Sequence, residues 1–367
     1  MGLFKELEHM GHEQVVFCND PASGLKAIIA IHDTTLGPAL GGTRLLPYAT
    51  EEEALADVLR LSRGMTYKAA CAGLPLGGGK AVIIADPNQK SEILFRAYGR
   101  FVESLAGRYI TAEDMNTNVL NMDHVRLETS YVTGVSPALG GSGDPSILTA
   151  MGTFHGILAS VEYRMGKKDL RGVRIAVQGT GAVGRILCRL LHEQGAILYV
   201  QDINDARIQE MKTLYHATPL TEQELYAADV DVYAPCARGA TLNTANIGRM
   251  KAKVVAGCAN NQLEDESVHA KMLKEAKILY APDYVINAGG LINVANELTG
   301  YNREKVEHDV TAIGDTLKSI FVESDRLGVT TQEASMRFAE KRIKNVLNLK
   351  PLQTFNQSYL GKNSHRG

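Results

Sequence analysis

Residues 173–184 read Val-Arg-Ile-Ala-Val-Gln-Gly-Thr-Gly-Ala-Val-Gly. An apolar run, Val173–Val177, leads into a G-x-G-x-x-G made of Gly179, Thr180, Gly181, Ala182, Val183 and Gly184. The pattern beyond it predicts a helix from Ala182 to Gln194, then a strand, Ile197–Val200, that ends at Asp202. Alone, the glycine spacing is weak evidence. With a strand before it, a helix after it and an acid at the end of the next strand, it reads as a dinucleotide fingerprint. Gly179 makes the tight turn, Gly181 leaves room for a pyrophosphate at the helix N-terminus, and Gly184 lets the helix pack closely. Asp202 would accept hydrogen bonds from the adenosine ribose hydroxyls and repel a 2′-phosphate, which favours NAD over NADP. Arg207, close by in sequence, pulls the other way.

Toward the C-terminus, strands are expected at Asp231–Ala234, Val254–Gly257, Ile278–Ala281 and Tyr284–Ile286. In an open parallel sheet the loops after the strands face the ligand crevice. Cys236, Ala237, Asn260 and Asn287 sit in such loops and are expected at the cofactor, although an asparagine in a turn also serves as a backbone cap. One long helix is expected over Arg303–Leu327, a further helix opened by Thr330 with Glu333, and a weakly structured tail from Leu349 to Gly367.

Toward the N-terminus the decisive stretch is Arg63–Lys80, RGMTYKAACAGLPLGGGK. The helix entering it starts at a capping box, Thr50 with Glu53, and carries Leu55, Val58, Leu61, Met65 and Lys68 at helical spacing. Lys68 therefore continues an apolar stripe. Lys80 follows Gly77, Gly78 and Gly79, read as a glycine-rich loop, and opens the strand Ala81–Ile84. The loop is no P-loop, since Leu74 stands where a glycine is required and Ala81 where Ser or Thr would hold magnesium. Each lysine alone could simply snorkel. Two of them facing one glycine loop point to a site that binds an anion and tunes an amine. Other expected elements are strands at Val15–Cys18, Lys26–His32 and Tyr109–Thr111 and helices at Ser91–Leu105 and Pro145–Met165. A loop is expected over Asp33–Gly42, and an interdomain hinge over Gly134–Asp144.

Composition excludes several classes. The chain has 367 residues, enough for two domains, and a formal net charge of −2, which leaves no electrostatic footprint for nucleic acid or an anionic membrane. Its five cysteines are scattered and form no C-x-x-C pair, which points to a reducing compartment and away from a cysteine zinc site. No H-E-x-x-H or EF-hand spacing occurs, so no metal is expected. The N-terminus is too charged for a signal peptide and no apolar run is long enough to span a bilayer. The expected location is the cytoplasm.

Several blocks in order, IHDTTLGPALGG, RGMTYKAACAGLPLGGGK, ITAED, the glycine fingerprint, APCA, ANNQL and APDYVINAGGLINVANE, resemble the amino-acid dehydrogenases that act on leucine, valine, phenylalanine and tryptophan, relatives of glutamate dehydrogenase. Leucine dehydrogenase is the most similar type recognised. The resemblance implies a two-domain α/β fold. A mixed α/β substrate and oligomerisation domain would comprise residues 1–140 with 330–367 returning to it, and a Rossmann-type NAD-binding domain residues 141–329, with the active site in the cleft between them. It further implies a homo-oligomer.

The resemblance assigns the substrate carboxylate to Lys68, with the backbone at Gly41 and Gly42. Lys80 becomes the catalytic amine and Asp114 the proton-exchanging carboxylate. Asn260 would hold the cofactor carboxamide and the substrate region. Met65, Leu40, Ala112, Leu291 and Val294 would line the substrate pocket. They are apolar and offer no counter-charge for a second carboxylate, which disfavours glutamate. Leu40, Ala112 and the TAED string lean toward leucine enzymes, whereas Leu291 and Met115-Asn116-Thr117 lean toward the aromatic ones. The expected reaction is reversible: an L-2-amino acid, NAD⁺ and water give a 2-oxo acid, ammonium and NADH. Phenylalanine or tryptophan as substrate, and an NAD-binding sensor without chemistry, are the alternatives. A 2-hydroxy acid dehydrogenase would need a histidine beside an arginine, where this site offers lysines.

Overall fold

The computed structural model describes residues 3–349, so the expected polar tail beyond Leu349 lies outside the described residues. Helix α1 (Leu3–Met10) precedes strands β1 (Gln14–Asp20), β2 (Leu25–Asp33) and β3 (Ala39–Leu46). Helix α2 (Glu51–Cys71) leads to β4 (Gly77–Ile84), α3 (Glu92–Glu103), β5 (Tyr109–Glu113) and α4 (Val119–Arg126). These strands form one mixed sheet in the order β1-β2-β4-β3-β5. β2 is antiparallel to β1 and β4, and β3 is parallel to β4 and β5.

Helix α5 (Ser146–Met165) opens a second unit. It continues with β6 (Arg174–Gln178), α6 (Ala182–Glu193), β7 (Ile197–Gln201), α7 (Asp205–Tyr215), β8 (Thr218–Pro219), α8 (Glu222–Leu225) and β9 (Val232–Pro235). Then come α9 (Thr244–Ile247), β10 (Val254–Val255), α10 (Glu266–Glu275) and β11 (Leu279–Tyr280). This sheet is parallel throughout, in the order β11-β10-β9-β6-β7-β8. Strand order reverses between β6 and β9, the switch point at which such sheets hold ligands. Helices α11 (Asp283–Ile286), α12 (Gly289–Glu297), α13 (Arg303–Thr311), α14 (Ile313–Leu327) and α15 (Thr331–Leu347) end the described chain. α15 packs on α2: Arg342 donates to Ala70 O at 2.8 Å and Gly73 O at 2.7 Å. The two-lobed α/β architecture is thus the one expected. Among the described residues no helix is long and apolar enough to cross a membrane.

Five local expectations are corrected. Gly77, Gly78 and Gly79 lie inside β4. A Cβ on Gly78 would fall 2.1 Å from Thr66 N, and one on Gly79 would fall 2.7 Å from the Tyr109 ring. Gly78 therefore lets α2 lie against the sheet, and Gly79 makes room for the Tyr109 ring of β5. The expected loop Asp33–Gly42 becomes strand from Ala39 onward, because Gly41 and Gly42 sit where a Cβ would strike Gly79 O at 1.7 Å and Glu113 O at 2.4 Å. Tyr284–Ile286 is helical: Pro282 O accepts from Val285 N and Ile286 N, and the apolar triplet was too short to show a period. The single helix expected over Arg303–Leu327 is two, α13 and α14, that meet at Ala312; Ile313, Leu317 and Ile320 are buried and α14 packs on α5. The later strands are also shorter than expected. The β10–β9 pairing ends at Val255 with Tyr233. Two residues on, Pro235 has no N–H for the ladder, and its carbonyl oxygen lies 2.3 Å from a Cβ built on Gly257.

Candidate active site

The close approach of α2 to β4 brings two lysines to one place. Lys80, in the middle of β4, is 5% exposed. Its Nζ lies 3.2 Å from Asp114 Oδ2, just past the end of β5. Arg44 on β3 donates from Nε to the same oxygen at 3.0 Å and from Nη1 to Asp57 Oδ2 at 3.0 Å. Tyr48 OH donates to Asp57 Oδ2 at 2.8 Å. Burial pushes the Lys80 pKa down; Asp114 resists and Arg44 adds to the depression. For Asp114, burial favours the neutral acid, but Lys80 and Arg44 outweigh it and hold the carboxyl below its ordinary range.

Lys68, on the last turns of α2, faces the same space. Its Nζ donates to Asn287 Oδ1 at 2.7 Å, and Asn287 Nδ2 donates to Asn260 Oδ1 at 2.6 Å and Cys258 O at 3.1 Å. Burial lowers the Lys68 pKa to about 8, with Asp283 opposing and Lys80 reinforcing. Its bonded partner is a neutral amide, so its charge is open to an incoming carboxylate.

Both lysines and Asp114 line a cavity of about 320 Å³ between the two sheets. Leu40, Met65, Ala112, Leu291 and Val294 supply its apolar wall, and Gly41 and Gly42 its floor. Asn260, Asn287 and Val183 reach it from the parallel-sheet side. Gly179, Thr180, Gly181, Ala182, Gly184, Asp202, Cys236 and Ala237 do not line it; they lie along the neighbouring glycine turn. There Gly179 has φ +91° and no room for a Cβ beside Ala237, and a Cβ on Gly184 would strike Gly179 O at 1.9 Å.

That turn fits a dinucleotide. Above Gly181 the nearest atom to an added Cβ is Arg207 Nη1 at 3.8 Å, and α6 begins there with no side-chain cap on its N–H groups. Asp202 Oδ2 accepts from Thr180 N at 2.7 Å and Thr180 Oγ1 at 3.0 Å, and Oδ1 accepts from Asn204 N at 2.9 Å. Asp202 thus props the turn itself. Burial would raise its pKa, yet these bonds and Arg207, 3.9 Å away, keep it low. Among the described residues no group of three or more His, Cys, Asp or Glu is placed to hold a metal ion.

Sequence reasoning missed Arg44, Glu113, Thr149 and Cys258. The last three line the cavity, and Arg44 orients Asp114 from outside it. A lone arginine among the small and apolar residues of Gly42–Leu46 was the available signal for Arg44. Thr149 had none.

A lysine–aspartate cavity between a mixed sheet and a doubly wound parallel sheet defines a two-lobed α/β protein with a candidate active site in its crevice. Residues 12–131 match a family model described as the Glu/Leu/Phe/Val dehydrogenase dimerisation domain. Residues 197–346 match one described as Glutamate/Leucine/Phenylalanine/Valine dehydrogenase. The L-tryptophan dehydrogenase of Nostoc punctiforme is 54% identical over 345 residues, covering 94% of this chain and 97% of that protein. The leucine dehydrogenase of Bacillus subtilis (strain 168) is 53% identical over 347 residues, covering 94% and 95%. A crystal structure of the Nostoc punctiforme L-tryptophan dehydrogenase superposes with a TM-score of 0.86 at 52% identity, covering 95% of this chain and all of that one. The chain belongs to the Glu/Leu/Phe/Val family of amino-acid dehydrogenases.

Proposed function

We propose that this chain catalyses the reversible NAD-dependent oxidative deamination of an apolar L-2-amino acid of the leucine, valine or isoleucine type, giving the 2-oxo acid and ammonium. The observation that carries the reading is the pairing of Lys80 Nζ with Asp114 Oδ2 at 3.2 Å in a cavity that also holds Lys68. Lys68 binds the substrate carboxylate, with the Gly41 and Gly42 backbone beside it. Leu40, Ala112, Leu291 and Val294 enclose the side chain, and no cation stands among them for a second carboxylate. Asp114 exchanges a proton with the substrate nitrogen. Lys80, whose burial makes its proton easier to lose, takes the proton of the water that attacks the substrate imine, then stabilises the carbinolamine as ammonium leaves. Bound NAD⁺ supplies the hydride acceptor. Gly181, the N-terminus of α6 and Asp202 hold it, with Asn260 and Asn287 near its reactive end.

The same reading makes the protein a cytoplasmic homo-oligomer joined through the first lobe. In support, β1 is an edge strand that presents Phe17 at 56% exposure, and that lobe carries the match to a dimerisation domain. The lobes are assigned to residues 1–140 with 330–367, and 141–329.

A second reading, with phenylalanine or tryptophan as substrate, is favoured by the near-equal identity to relatives named for tryptophan and for leucine. Differences of one or two methylenes in a pocket discriminate by only about 1–3 kcal/mol. A panel of L-amino acids with NAD⁺ or NADP⁺, followed at the NADH band, tests both. Branched aliphatic substrates should give the highest kcat/KM, glutamate none, and NAD⁺ should exceed NADP⁺ by roughly tenfold or more through Asp202. A higher kcat/KM for an aromatic substrate selects the second reading. No turnover with intact NADH binding points to a sensor.

A further inference from the structure

Further along the crevice, toward the β11 edge of the parallel sheet, lies a second cavity of about 320 Å³. Four distant segments build it: Arg60 and Arg63 of α2, Asn261 and Leu263 after β10, Asp283 at the start of α11, and Gln332 and Met336 of α15. Its charged groups carry both signs. Arg60 is already engaged, donating to Asp57 Oδ1 at 3.0 Å and to Asn261 Oδ1 at 3.3 Å across the lobes. Arg63 is not. Its guanidinium sits 5.4 Å from the Tyr67 ring centroid and makes one long bond, 3.5 Å, to the Tyr67 hydroxyl. Among the described residues no carboxylate lies within 4.0 Å of it. Glu264, Glu266 and Asp283 bring carboxyl groups to the same cavity. Asp283 is the buried one: its oxygens accept from Gln262 N at 3.0 Å and Tyr284 N at 2.7 Å, and burial pushes its pKa up.

The second observation is Gln332, which lines this space, is 5% exposed, and has an amide oxygen without a hydrogen-bond partner. A buried acceptor left unpaired costs free energy that a ligand N–H would recover. The remaining wall includes Met10, Leu263 and Met336. Methionines adapt to apolar groups of varied shape.

We propose that this cavity is a second binding site, for a small zwitterion with an apolar side chain: a free α-amino acid, held without being converted. Its carboxylate pairs with Arg63, a charge-assisted contact that arginine makes with two parallel N–H donors. Its ammonium meets Asp283, Glu266 and the Gln332 oxygen, and its side chain lies against Met10, Leu263 and Met336. Neither Lys80 nor Asp114 lines this space, so the groups proposed for chemistry are not there. Occupancy reaches the catalytic cavity by two routes. Asp283 stands in this cavity and its charge also acts on Lys68, so a ligand ammonium beside it weakens that field. The walls belong to both lobes, so an occupant changes how easily the crevice closes.

Equilibrium dialysis of the cofactor-free full chain against L-leucine tests this directly. The expected result is a binding event abolished by Met336→Trp, whose indole fills the apolar wall, and by Arg63→Gln, but retained in Lys68→Ala. Thermal unfolding of each variant checks that it is folded. Binding that survives both Met336→Trp and Arg63→Gln, or that disappears in Lys68→Ala, overturns the proposal. So does the absence of L-leucine binding outside the catalytic cavity. Turnover with NAD⁺ on the same preparations separates the two readings, since a chain that binds at this site and converts nothing refutes only the proposed activity.

Discussion

Lys68 Nζ donates to Asn287 Oδ1 at 2.7 Å, joining α2 of the mixed-sheet lobe to the turn that precedes α12. The amide cannot be reversed, because Asn287 Nδ2 must face the Cys258 carbonyl. Losing Lys68 removes a charge-assisted bond to the substrate carboxylate, worth about 1.5–3 kcal/mol, so Lys68→Ala should raise KM for the amino acid by roughly tenfold to a hundredfold. Asn287→Ala leaves the charge but frees its direction, and should raise KM less. The lysine also sets an alkaline limit. It binds a carboxylate only while protonated, so kcat/KM should fall above pH about 8 and lose that limb in Lys68→Ala. An unchanged KM in both variants refutes the assignment.

Lys80 behaves oppositely. It acts on water only when neutral, and its pKa is depressed chiefly by burial. The rate of oxidative deamination should therefore climb with pH as Lys80 loses its proton. Together with Lys68 this makes kcat/KM bell-shaped, with apparent limits that belong to the coupled pair. Lys80→Ala should lower kcat by about 10²–10⁴-fold with little change in KM, and should flatten the acid limb. Near-normal kcat with an unaltered profile would exclude Lys80 as the base.

Gly78 supports both lysines without touching substrate. A Cβ there would lie 2.1 Å from Thr66 N, a backbone atom that moves only if α2 moves. Overpacking of this kind costs about 1–3 kcal/mol. Gly78→Ala should lower the melting temperature and depress kcat and raise KM together, since both lysines shift relative to Asp114. A variant of normal stability and activity would show that the helix has slack.

The parallel sheet was legible from sequence because its signals are local. Gly179, Gly181 and Gly184 sit in one turn, with apolar strands on either side. Lys68 was legible because helical period fixes a side chain's direction over a few residues, and Lys80 because it opens the apolar run Ala81–Ile84 directly after three glycines. β3 stayed hidden, since Gly41 and Gly42 have poor strand propensity and stand there for close packing. Arg44 with Asp114, and Arg60 with Asn261, join positions far apart in sequence that no periodicity connects. The glycine triplet was read as a ligand loop for the same reason: glycine chosen to admit a helix and glycine chosen to admit a ligand look identical until the neighbour is known.

Glu297 shows how such distant contacts shape the crevice. Its Oε2 accepts from Gly134 N at 2.9 Å, and Oε1 accepts from Ser142 N at 2.8 Å and Ser142 Oγ at 2.5 Å. Gly134 and Ser142 both lie in the glycine-rich segment expected as the hinge between the lobes. Asn293 adds a bond to Ser142 Oγ at 2.7 Å and is itself held by Tyr301 OH at 2.9 Å. One carboxylate thus fastens two points of the segment through separate oxygens. Glu297→Gln keeps the size but offers only one oxygen, so its amide nitrogen must face an N–H donor on one side. Charge-assisted bonds of this kind contribute about 1.5–3 kcal/mol, and part of that is lost. Hinge residues absorb the motion that closes a crevice, so kcat and KM should change together. KM for the amino acid and for NAD⁺ should both rise, while the ratio of kcat/KM between leucine and phenylalanine stays constant, because the substitution changes none of the side chains that line the pocket. Amide hydrogen exchange over residues 134–144 should quicken in the variant. Altered substrate preference with unchanged exchange would place Glu297 in the pocket's specificity instead of its hinge.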